Sequence, residues 1–320
     1  MRESAFIRKN KLKWKSFAIQ KASSPDELAD KFIELTDDLA YARTFYPDSD
    51  TTAYLNALTG RTHQSIYKNK REKQNRFFAF WKYELPYLFR QHHRQLGYAF
   101  LIFAVACGIG ALSAALDDTF VRLILGDSYV NQTMENIRHG DPLAIYKGGG
   151  EAEMFLFITL NNIKVAFMAF VLGVFFSLGT GWILFQNGVM LGAFQYFFYK
   201  QGLLLPSLLT IWIHGTLEIS AIVIAGCAGF VMGNSLLFPG TYSRLHAFKQ
   251  GARQGLKIVV GLVPIFITAG FLEGFVTRHT DMPVALSLAI ILSSATFIFY
   301  YFILYPRTLH HRHATDKPEN

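Results

Sequence analysis

The chain has 320 residues, of which 51% are hydrophobic, 17% are charged and 30 are Phe. Eighteen of the 31 Lys and Arg fall before residue 97, beside eleven acids, so the remainder is too apolar for a soluble globular domain. The net charge of +8 is no argument for nucleic acid, because a basic face beside an anionic leaflet accounts for it.

Cys107 and Cys227 sit in apolar stretches, with no CxxC pair or Cys/His cluster. Neither a disulfide framework nor a zinc site is expected. Residues 1–10 contain no apolar run, so they do not read as a secretory signal.

Residues 1–75 read as a cytoplasmic bundle of helices. Trp14 and Phe17 make an apolar edge in a Lys-rich stretch. Ser24, Pro25 and Glu27 form a capping box that opens a second helix, with Leu28, Phe32, Leu35 and Leu39 at helical spacing. The chain turns around Pro47–Asp50, and Tyr54, Leu55, Leu58, Ile66 and Tyr67 predict a third helix. Residues 76–95 interleave Phe77, Phe78, Phe80, Trp81, Tyr83, Tyr87 and Phe89 with Arg76, Lys82, Arg90 and Arg94. That mixture suits the water–lipid interface and predicts an amphipathic elbow helix on the cytoplasmic leaflet; a bundle helix is the alternative.

Residues 96–304 read as about six membrane spans. Residues 96–116 carry no charge and are long enough to cross ~30 Å of hydrocarbon. Only Lys164 is charged between Met154 and Tyr199, which is too long a stretch for one helix. Gly179-Thr180-Gly181 is the natural break, giving spans at 154–177 and 180–199. Leu205–Gly233, opened by Pro206, is a fourth span, 257–276 a fifth and 283–304 a sixth. The predicted fold is therefore an all-α polytopic membrane protein with an N-terminal helical domain. The loop 117–153 holds seven acids against Arg122, Arg138 and Lys147. Arg244, Lys249 and Arg253 lie between spans four and five, and Arg307 and Arg312 in the tail 305–320. Six spans with both termini in the cytoplasm put every basic segment inside and the acidic loop outside.

Ionisable residues inside the apolar runs are the informative ones. Each costs ~2.5–3.5 kcal/mol at mid-bilayer on insertion scales, so it faces protein or water and finds a partner. The ionisable set is Lys164, His214, Glu218 and Glu273, with Asn161, Asn162, Gln186 and Asn187 adding neutral polarity. His214 and Glu218 share a helix face, which suggests a Lys164–Glu218 pair flanked by His214 and Asn161. Such a core reads either as a structural ion pair or as a proton- or ion-linked site. The His-x-x-x-Glu spacing resembles a metal motif, but there is no HExxH and no second His on a span, so no metal or cofactor is expected. No nucleophile elbow, Walker loop or dinucleotide fingerprint occurs.

Gly188/Gly192, Gly229/Gly233 and Gly270/Gly274 are four residues apart, a spacing that lets helices approach closely. Packing within the chain is one use of them and a homodimer seam the other. Pro264 predicts a kink or a broken helix. Arg244 and Arg278 read as interfacial anchors.

Asn161-Asn162, Gln186–Gly192, His214-Gly-Thr-Leu-Glu218 and the run from Pro239 through Arg244 to Ala269–Arg278 together resemble the stage II sporulation protein M family. Asp38–Arg43 and Tyr54–Leu58 resemble that family's cytoplasmic part. The resemblance implies a bacterial multi-pass inner-membrane protein without enzymatic activity. It also implies a scaffold that recruits envelope partners, among them cell-wall hydrolases acting on peptidoglycan. The long N-terminal domain is similar to that of the family's general branch rather than the sporulation namesake. The leading expectation is a scaffold in cell-envelope remodelling, associated with the lipid bilayer and not with nucleic acid. Transport of an ion, solute or lipid through the buried polar cluster is the alternative, and an intramembrane hydrolase the third.

Overall fold

The computed structural model describes residues 1–19, 25–67, 76–148, 150–280 and 282–309, and these contain helices and no strand. Ser24 of the expected capping box and Arg312 of the tail lie outside them. The chain divides into two units, residues 1–76 and 77–320.

The first unit holds α1 (Glu3–Ile19), α2 (Pro25–Phe45) and α3 (Asp50–Tyr67). Asp26 and Glu27 in the first turn of α2 oppose the positive end of its dipole. Leu35 and Leu39 of α2 and Leu55 and Leu58 of α3 close on Phe6 and Trp14 of α1. The Trp14 indole donates to Asp38 Oδ2 at 2.7 Å, and Lys13 reaches the same carboxylate at 2.7 Å. A buried aromatic with a satisfied N–H thereby sets the register of α1 on α2.

The second unit opens with α4 (Arg76–Ala79), a π turn at Phe80–Glu84 and α5 (Leu85–Gln91). The segment expected as an elbow packs one face on the bundle. Leu85, Leu88 and Phe89 are buried, Phe89 stands edge-on to Phe302 at 4.8 Å, and Trp81 donates to the Gly261 carbonyl at 3.2 Å. Lys257 pairs with Glu84 at 2.9 Å, while Phe77 and Phe78 stay exposed. The helical path breaks at His92 (φ −113°, ψ 25°).

The main helices are α6 (His93–Leu116), α9 (Glu151–Val171), α10 (Leu178–Lys200), α11 (Leu204–Leu237), α12 (Arg244–Phe271) and α13 (Val284–Phe299). A π turn at Leu272–Thr277 extends α12, and another at Tyr300–Leu304 extends α13. Five of these six are long and apolar enough to cross a membrane; the chain is a polytopic all-α membrane protein. The departure from six is α10. It has 23 residues, but Gln186, Asn187 and Gln195 lower its apolarity.

Two expected breaks fall elsewhere. The chain reverses at Phe175–Ser177 rather than at Gly179–Gly181, and Phe176 (φ 51°) and Ser177 (φ 69°) take the left-handed conformation themselves. Gly179 instead packs on Leu172. Helix α12 runs unbroken through Pro264, with Thr268 donating to the Pro264 carbonyl at 2.9 Å; its geometry changes only at the π turn.

The acidic loop is a folded lobe. It comprises α7 (Asp118–Leu125), α8 (Asp127–Arg138) and a 3-10 turn at Ala144–Lys147. Asp117 caps α7 by accepting from the Thr119 amide at 2.9 Å and from its hydroxyl at 2.7 Å, which holds the Asp117 carboxyl below the usual range. Val121, Val130 and Leu143 pack with Phe197, Phe198 and Ile211.

Helix α11 is the axis of the bundle. In its most apolar stretch 83% of residues are buried, against 28% in α6 and 17% in α13. Glycine makes the close approaches: a Cβ on Gly192 would stand 2.0 Å from the Cys107 carbonyl oxygen of α6. Gly192→Val is expected to destabilise by about 3 kcal/mol, because backbone cannot move aside as a side chain can. Gly97→Ala, with nothing within 4 Å, is expected to stabilise by about 0.5–1 kcal/mol. Unfolding of both variants in mixed detergent micelles measures the difference.

Candidate functional site

Three helices converge on one polar site. His214 and Glu218 project from α11 one turn apart, Glu273 and Thr277 from the π turn that ends α12, and Asn162 from α9. A π turn holds one more residue per turn than an α-helix and so re-aims the side chains beyond it. Here it presents Glu273 and Thr277 to the same imidazole. His214 Nε2 lies 3.7 Å from Glu273 Oε2, and His214 Nδ1 lies 2.9 Å from Thr277 Oγ1. One ligand atom from each of His214, Glu218 and Glu273 falls within 4.8 Å of the others. His214 and Glu273 side chains are 5% and 14% exposed.

The hydrogen bonds around Thr277 favour one imidazole tautomer. Thr277 gives its one hydroxyl proton to the Leu272 carbonyl at 3.1 Å, so its oxygen is left to accept from His214. In the tautomer with its proton on Nδ1, His214 turns the Nε2 lone pair toward Glu273. On the other side, the Asn162 carboxamide faces Glu218, yet its buried Nδ2 closes no hydrogen bond. One turn away Thr159 Oγ1, also buried, has no hydrogen-bond partner among the described residues where α9 meets Gly270.

A family model described as Stage II sporulation protein M matches residues 99–278, more than half of the chain. The chain belongs to the stage II sporulation protein M family. A second model, for a domain of unknown function, matches residues 4–68, the three-helix unit. No curated protein and no solved structure matches. The stretch matched by the sporulation protein M family begins inside α6 and ends at Arg278, so every member of the polar site lies within it.

Of the residues singled out from the sequence, the structure brings together Asn162, His214, Glu218 and Glu273. Asn161 and Lys164 stand apart, exposed on the outer side of α9. Among the described residues no ion pair joins Lys164 to Glu218, and that pairing is corrected. Thr159, Asn162, Ala166 and Ala169 form the buried stripe of α9; residues 161 and 164 fall about 100° and 200° from Asn162 at 3.6 residues per turn. Thr277 and Thr159 were missed because a hydroxyl in an apolar run ordinarily bonds its own helix; the one available signal is the four-residue step from Glu273 to Thr277.

Arg278 is no simple anchor at the interface. It donates to the Lys147 carbonyl at 2.9 Å and pairs with Glu151 at 3.3 Å, tying the end of α12 to the lobe and to α9. Arg244 is exposed in the first turn of α12. The six paired glycines all face other helices of this chain: Gly188 and Gly192 meet α6, Gly229 and Gly233 meet Thr180 and Ser177, and Gly270 and Gly274 meet Thr159 and Phe155.

Thr277→Val leaves the His214 Nδ1–H buried without its acceptor and is expected to cost about 1–3 kcal/mol. Asn162→Leu removes the amide that faces Glu218, and the melting temperature is expected to fall less than in Thr277→Val. Thermal unfolding of both variants in detergent checks the pair.

Proposed function

We propose that this family member is a non-enzymatic membrane scaffold of the cell envelope, which holds peptidoglycan-remodelling partners against the bundle. The bacterial cytoplasmic membrane is its location, with both termini in the cytoplasm. The supporting observation is the set of contacts that tie the lobe 117–148 to the bundle. Lys200 ties it to the end of α10 through Asp118, and Lys147 braces it internally on Asp141 at 2.7 Å. Arg122 joins Asp127 at 2.9 Å and Asn131 at 2.8 Å. Arg278 and the apolar seat on Phe197 and Phe198 complete the attachment. A loop with no partner has no need of such bracing, since a mobile connection closes the chain at little cost. A preorganised surface loses less entropy when another protein docks on it.

The six-pass path supports the orientation. If α10 crosses with the other five, α6 to α13 return the chain to its starting side. The basic segments then share the cytoplasmic face and the lobe stands outside. The polar site on α11 favours a second reading, ion- or solute-linked transport, because ionisable groups within a span mark such pathways.

The two readings separate in one experiment. Full-length protein is purified from native membranes in mild detergent and its companions are identified by mass spectrometry. The scaffold reading expects a stoichiometric cell-wall hydrolase or its activator, lost when the exposed residues of α8 are replaced by Ala and retained in Glu218→Gln. Loss of envelope phenotype in Glu218→Gln, with no such companion in either preparation, would favour transport.

A further inference from the structure

We infer that His214, Glu218 and Glu273 form a binding site for one divalent transition-metal ion of the zinc class, built between α9, α11 and α12. The first support is the direction of the imidazole. With Nδ1–H committed to Thr277, Nε2 offers a lone pair to the Glu273 carboxylate 3.7 Å away. In that tautomer two acceptors face each other, an arrangement that a proton or a metal cation between them relieves. Ligand atoms about 2.1 Å from a tetrahedral zinc stand about 3.4 Å apart, close to the spacing found. The Glu218 oxygen lies within 4.8 Å of both.

The second support is the surrounding shell. A metal-bound histidine is normally oriented through its other nitrogen, and Thr277 does this for His214. Asn162, 5% exposed, aims its amide at Glu218 without closing an Nδ2 hydrogen bond among the described residues, and there it would steady a ligating carboxylate. Charge is the third support. Two ionised carboxylates side by side in a low-dielectric interior are costly, and a divalent ion with a neutral imidazole makes the set electrically neutral. Three protein ligands leave a fourth position open, the arrangement in which an ion keeps a water molecule or an exchangeable partner. This inference does not depend on the scaffold reading.

The test uses the full chain with a non-histidine affinity tag. His310, His311 and His313 are replaced by Ala so that the tail contributes no zinc. Protein in detergent is stripped with chelator and titrated with zinc chloride, and bound metal is counted by mass spectrometry after dialysis. One zinc per chain is expected. Glu218→Gln and Glu273→Gln are each expected to lose saturable binding, and Thr277→Val to weaken it ~10- to 100-fold. Zinc is expected to raise the melting temperature of the parent chain and not of the Glu variants. X-ray absorption on the zinc-loaded parent chain keeps the test decisive if the Glu variants do not fold: one nitrogen with oxygen ligands supports the site. Absence of saturable zinc, a sulfur ligand, or binding unchanged in folded Glu218→Gln and Glu273→Gln would overturn it. A melting temperature that responds to pH but never to zinc would assign the place between Nε2 and Glu273 to a proton, and would also overturn it.

Discussion

A helix enclosed on every side leaves its neighbours nothing to approach but its backbone. Helix α11 is in that position, with α6, α9, α10, α12 and α13 all packed against it. Its small residues are the answer to that constraint. A Cβ on Gly229 would sit 2.2 Å from Thr180 Oγ1, and one on Gly233 would sit 2.1 Å from Ser177 Oγ. In hydrocarbon such close packing supplies what the hydrophobic effect supplies in water, because lipid tails are as apolar as the helix surface. The left-handed turn before α10 follows from the same demand. Phe176 and Ser177 accept a conformation that costs about 1–2 kcal/mol each, and Ser177 thereby lands on Gly233.

The enclosed helix is also the one that carries His214 and Glu218, and the two facts are connected. Ionisable groups deep in a span are costly unless protein surrounds them or a long side chain reaches the interface. Helix α13, mostly turned outward, carries no ionisable residue between Val284 and Phe299, whereas α11 can hold two because α9 and α12 cover them. The shell that makes the packing tight therefore also makes the polar site affordable.

Much of this was legible in the sequence, for a definite reason. Hydrocarbon thickness imposes a minimum length of apolar chain, so α6, α11 and α13 stood out, and the four-residue step from His214 to Glu218 placed both on one face. Lateral orientation was not legible. A span apolar all round has no polar side to mark its outward face, so Asn161 and Asn162 looked alike although only Asn162 points inward. Glu273 joins the site through a π turn that no periodicity announces. The lobe was hidden for a different reason: Val121, Val130 and Leu143 lie too far apart in sequence to show a pattern, and they meet only over Phe197 and Phe198. The polar residues of α10 show the limit of reading by composition, since Gln186, Asn187 and Gln195 sit in a helix still long enough to cross.

The π turn at Leu272–Thr277 has a consequence on another timescale. Such a turn amounts to a single residue inserted into a regular helix. Deleting one residue there would restore α geometry and swing Glu273 or Thr277 about 100° around the axis, away from His214. The glycine contacts of Gly255 and Gly261, further back on α12, would stay in register. The bundle and the polar site are thus separable in descent: one codon gained or lost could give a lineage the site or take it away, while the membrane fold passes on intact.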